Sequence, residues 1–139
     1  MLDGVHVPDE IAALPLVDRR QIAQDLRIRA RDLHRGEEYR RAVPVWEMAL
    51  QYDPDSAVTA NGLATTLIEL RRWNGALLWA QRAVDVDPGQ PRFRETLGDV
   101  LLQTGDLEGA IAQYGKGLED FPDDVRLQRR LSSARLRLP

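Results

Sequence analysis

Few side chains in this sequence are of a type and spacing suited to covalent chemistry. It has no cysteine, which excludes thiol nucleophiles, thiolate metal sites and disulfides. Its two histidines, His6 and His34, lie far apart, and neither stands in a cluster of carboxylates that would complete a metal-ligand set. The stretch Gly109 to Gly117 reads GAIAQYGKG and approaches a phosphate-loop pattern. However, five residues separate Gly109 from Gly115-Lys116, and no hydroxyl residue follows the lysine. With no nucleophile–base pair, metal cluster or phosphate loop, no enzyme activity and no cofactor are expected. Arginine is abundant instead, and its planar fork binds carboxylates through two parallel hydrogen bonds. The chemistry on offer is recognition.

Recognition needs a scaffold that sets those arginines on one face, and the spacing of small and turn residues predicts one. Pro54, Pro88 and Pro122 stand 34 residues apart. Ala42, Ala76 and Ala110 repeat on the same step, as do Ala49, Ala83 and Gly117. Between the prolines apolar residues recur at helical spacing. Each unit therefore reads as a helix pair whose apolar face is covered only by stacking on a neighbour.

The first pair is predicted from Asp18 to about Arg35, with Asp18 and Gln21 as a capping box, and from Glu37 to Tyr52 after a stop at Gly36. Pro44 falls inside the second of these helices, where such a residue ordinarily costs about 3 kcal/mol. A kink is expected there, held by the packing of Trp46 and Leu50. In the second pair Asp55 or Ser56 caps a helix to about Leu70, Arg71-Arg72 close the turn, and Trp73 to Val86 form the partner. The third pair is predicted near Pro91–Thr104 and Asp106–Asp120, around Gly105. A last helix, Asp123 to Leu136, carries Arg126, Arg129, Arg130 and Arg135 on a face read as its solvent side, which would close the apolar end of the stack.

The 139 residues thus divide into an arm (1–17), three helix pairs (18–54, 55–88 and 89–122) and a closing helix (123–139), an all-α chain. With 43% hydrophobic and 29% charged residues, the composition is that of an ordinary globular protein. No apolar run approaches the roughly 18 residues of a membrane span. The opening MLDGVHVPDE lacks the basic stretch and apolar core of a secretory signal. A cytoplasmic location without membrane insertion is expected. A net charge of −3 gives no general attraction to nucleic acid, which is not expected as a partner. The arm carries Val5, Val7, Ile11, Leu14, Leu16 and Val17, too apolar for a solvated tail, and is expected to pack on the edge of the first helix. Leu78, with Pro44 at the equivalent place one unit earlier, hints at a contact on the outer face.

The pattern resembles the tetratricopeptide repeat family from Ala23 to Pro122. The third unit carries the motif most fully, in Leu97-Gly98, Gly105, Ala110, Tyr114 and Pro122. The first unit departs from it at Arg29, Glu37 and Pro44, and the second at Arg71 and Ala80. The resemblance implies a right-handed superhelical array of antiparallel helix pairs, an α-solenoid whose first helices line a concave groove for an extended peptide or a partner helix. On the matching positions that groove comprises Arg27, Arg31 and His34, then Asn61, Thr65 and Ile68, then Arg92, Glu95, Asp99 and Leu102, and finally Arg126, Arg129 and Ser133.

The carboxylate clamp that some members use for a chaperone tail is not reproduced. Arg27 and Arg92 stand at two of its cation places, but Arg31, Gly62 and Thr96 replace its two asparagines and its arginine. The expected function is a non-enzymatic protein–protein interaction scaffold for a protein or peptide partner. The arginines favour an acidic segment, unless Glu95 and Asp99 pair with Arg31 or Arg92 into a solvated charge wall. The alternative is a self-associating module, a homo-oligomer built through residues 1–17 or the last helix.

Overall fold

The computed structural model describes residues 5–139, all of whose regular elements are helices. They are α1 (Asp9–Ala12), α2 (Leu16–Arg35), α3 (Tyr39–Tyr52), α4 (Ala57–Glu69), α5 (Trp73–Val86), α6 (Pro91–Gln103), α7 (Leu107–Asp120) and α8 (Val125–Arg135). Helices α2/α3, α4/α5 and α6/α7 form the three pairs, and α8 packs on α7. No helix among the described residues is long and apolar enough to cross a membrane.

The helix boundaries have local causes. Ser56 Oγ accepts from the Thr59 amide, so Ser56 is the cap of α4. Asp106 and Asp124 cap α7 and α8 in the same way. Pro91 opens α6, where its missing N–H has no partner to lose. Each pair turns through one left-handed residue: Glu37 (φ 61°), Arg71 (φ 57°) and Gly105 (φ 89°). The next amide then reaches back to Leu33, Leu67 or Leu101, at 2.9, 2.9 and 2.8 Å. The turn is the same in all three pairs, although only one uses glycine.

Two expectations need correction. The Asp18–Gln21 capping box does not form, because α2 starts at Leu16 behind Pro15 and Asp18 lies inside its first turn. Gln21 instead donates to Asp25. Residues 1–4 of the arm lie outside the described residues; of the rest, Leu16 and Val17 belong to α2, while α1 packs on α3, the second helix of the first pair, and Val5 rests against the main core. Around Pro44, α3 is continuous, and the proline lies on the exposed side, where water can serve the carbonyl it leaves free.

The core is a row of small residues with large ones slotted between them. Ala30, Ala42, Ala64, Ala76 and Ala110 are fully buried. A Cβ on Gly62 would overlap the Trp46 ring, and one on Gly98 would overlap Tyr114. Trp46 therefore leans from the first pair onto α4, while Tyr114 lies against α6 of its own pair. One cluster runs from Ala30 to Val100, and a smaller one joins Ala110 and Tyr114 to Leu127, Leu131 and Ala134.

Candidate functional site

The first helices touch in sequence, α2 on α4, α4 on α6 and α6 on α8, so residues one repeat apart form rows along that side. Arg27, Asn61, Glu95 and Arg129 make one row, Arg31, Thr65, Asp99 and Ser133 a second, and His34, Ile68 and Leu102 a third. At the α2/α4 and α6/α8 seams side chains bridge to a residue 31 or 32 positions onward, about one helical turn short of the repeat.

At the α6/α8 seam three arginines and three carboxylates are matched. Glu95, only 4% exposed, accepts from Arg126 Nη2 at 2.7 Å and Arg130 Nη2 at 3.3 Å through Oε1, and from Arg92 through Oε2. Arg92 also donates to Asp124, whose carboxyl it holds below the usual carboxylate range, helped by the Leu127 amide. Asp99 Oδ1 accepts from Arg130 Nε at 2.8 Å and from the Tyr114 hydroxyl at 2.6 Å. Burial, and then this bond to a carboxylate, push the Tyr114 phenol far above its ordinary value.

Three arginines thus face three carboxylates. Glu95 is not part of a solvated wall, and its partners are Arg92, Arg126 and Arg130 rather than Arg31. Arg126, expected both on the outer face of the last helix and in the groove, and Arg130, expected on the outer face alone, turn inward to α6. Arg130 is the residue of this seam absent from the expected set. Arg129 and Ser133 are exposed and bond to nothing among the described residues.

The α2/α4 seam is different. The 31-residue step from Arg27 lands on Val58, and that from Arg31 lands on Gly62; neither can pair with a cation. Arg27 is half-buried and forms no hydrogen bond or ion pair among the described residues. Arg31 Nε lies 3.9 Å from Asp32 Oδ1, with both side chains at least half exposed, a pair of little strength. Asn61 Oδ1 is shielded from solvent and unpaired. Thr65 has its hydroxyl turned back to the Gly62 carbonyl at 2.8 Å, and Ile68 packs against the core.

His34 closes this half of the face through a residue that the sequence reading passed over. Thr66 Oγ1 is 2.9 Å from His34 Nδ1, accepts from Trp46 Nε1 at 2.8 Å and reaches the Gly62 carbonyl at 2.9 Å. Burial lowers the His34 pKa from its ordinary 6.5, with Glu69 opposing the shift. The only signal for Thr66 was its place 32 residues after His34. Among the described residues no three His, Asp or Glu side chains gather as a metal site.

Comparison with known proteins agrees with this architecture. A family model described as Tetratricopeptide repeat matches residues 29–91 and 95–139. Small glutamine-rich tetratricopeptide repeat-containing protein 2 of Mycosarcoma maydis is 24% identical over 116 residues, covering 84% of this chain and 33% of that protein. This chain spans between 14% and 41% of the length of three curated relatives it matches. The first TPR of Spaghetti (RPAP3), solved with the HSP90 peptide SRMEEVD, superposes with a TM-score of 0.81 at 19% identity, over 96% of this chain and 97% of that one. The Yersinia enterocolitica type III secretion chaperone SycD, solved with a peptide of the translocator YopD, gives 0.74 at 19% identity, over 81% and 92%. The all-helical array of stacked pairs and the two matched stretches have one reading: the chain belongs to the tetratricopeptide repeat family.

Proposed function

We propose that this chain is a protein–protein interaction scaffold that holds a short acidic segment of a partner against the α2/α4 seam. Arg27 and Arg31 are the cations, with His34, Asn61, Thr65 and Ile68 as the surrounding wall. One observation carries the reading: Arg92, Arg126 and Arg130 of the α6/α8 seam are neutralised internally, whereas Arg27 is half-buried with no partner among the described residues. An unpaired cation with restricted hydration gains from a carboxylate brought to it. The unpaired Asn61 oxygen, one repeat from Arg27, suits a backbone amide of the same segment. Two structures of this fold were solved with peptides bound, which supports a peptide as the kind of partner.

The test is fluorescence anisotropy with a labelled short peptide of alternating glutamate and leucine. Arg27→Glu combined with Arg31→Glu should weaken binding by at least about tenfold, while Arg129→Glu leaves it unchanged. Equal binding by the double variant and the parent chain would sink the proposal, provided that circular dichroism shows both are folded.

A further inference from the structure

A second site lies on the side formed by the second helices. A cavity of about 230 Å³ opens between the arm, α3 and α5. Val5, Leu50 and Trp79 form its apolar wall, and His6, Glu47 and Gln51 its polar rim. Among the described residues none of these three rim side chains has a hydrogen bond or ion pair. Trp79 is already fixed by the Arg82 guanidinium stacked on its ring, 5.2 Å from the centroid. Small-molecule pockets occupy roughly 300–1,000 Å³, so this space suits one or two side chains better than a cofactor. Met48 and Leu78, the sequence neighbours of Glu47 and Trp79, are apolar and 46% and 48% exposed. An apolar floor with a free carboxylate at its mouth calls for apolar and cationic side chains in close succession.

The chain itself carries such a segment. At the end of α8 the sequence runs Arg135-Leu136-Arg137-Leu138, with Leu136 87% exposed, Leu138 46% exposed and neither arginine in an ion pair among the described residues. We propose that this segment of one copy docks into the cavity of a second, a leucine against Trp79 and Leu50 and an arginine on Glu47. The two surfaces differ, so the contact is head-to-tail and propagates from copy to copy.

Sedimentation of the chain over a range of concentrations should show a mass that rises above the monomer. Glu47→Arg alone, or Arg135→Glu with Arg137→Glu, should weaken association by at least about tenfold. Combining the two charge reversals should restore it. A synthetic peptide of residues 133–139 should compete and should move the Trp79 indole N–H resonance. The substituted side chains are exposed, and circular dichroism verifies that the variants fold. A monomer at every concentration, or reversals that associate like the parent, would overturn the proposal. Peptide binding by a chain that stays monomeric would assign the cavity to a basic segment of another protein and equally end the self-association reading.

Discussion

Thr66 shows what a single residue does in this array. It is fully buried, and three groups from three elements converge on its hydroxyl: the His34 ring, the Trp46 indole and the Gly62 carbonyl. Thr66→Val keeps the shape and removes the acceptor, leaving the Trp46 N–H buried and unpaired. That should cost about 1–3 kcal/mol, measured as a lower urea midpoint at unchanged slope; an unmoved midpoint would show that another group serves the indole. Gly62, a turn earlier on the same helix, completes the seat, since any Cβ there would overlap the Trp46 ring. The small residues and Trp46 were readable from the 34-residue register. Thr66 was not, because its contact with His34 falls on a step of 32 and links positions that no 34-residue alignment places together.

At the scale of elements, α8 is held by a small apolar contact and a set of charges. Leu127, Leu131 and Ala134 supply the first, and Arg92, Glu95, Asp99 and Asp124 tie its arginines and its cap to α6. The Asp124 carboxyl is depressed below its ordinary 3.8 chiefly by the hydrogen bond from Arg92. Its stabilisation is therefore complete above about pH 4 and is lost as the pH falls through the folded value, because the unfolded chain takes up the proton first. Asp124→Asn retains a capping oxygen but not the charge, so thermal midpoints from about pH 6 to about pH 2 should fall less steeply than in the parent. The same acid slope in both would refute that role.

Helix positions were largely legible: Trp73–Val86 was read to the residue, and Pro91 and Asp120 were placed at the correct ends. The inward turn of Arg130 was not. Basic residues on a terminal helix look like a solvated face until the carboxylates opposite them are known. Burial of Glu95 was hidden for the same reason, since a lone glutamate gives no sign of the three guanidinium groups that let it leave water.

Across the whole molecule, the one-dimensional stack makes each pair depend on its neighbours. Helices α4 and α5 are covered on both sides, whereas α8 is covered on one. Amide hydrogen exchange followed by NMR should therefore be slowest in α4 and α5 and faster in α8; uniform protection through α8 would mean that the array opens only as a unit. The two seams also give the side formed by the first helices a direction, with Arg27 half-buried and unpaired among the described residues near α2, and Arg92, Arg126 and Arg130 paired with carboxylates near α6.

The placement of the tryptophans bears on how such opening is seen. Trp46, Trp73 and Trp79 all lie on α3 and α5, while α6, α7 and α8 carry none. Indole emission is a lamp fixed in the first two pairs. Loss of α7 and α8 lowers the circular dichroism signal and leaves that lamp unchanged, so a gap between the two unfolding curves maps how far the stack has frayed from one end.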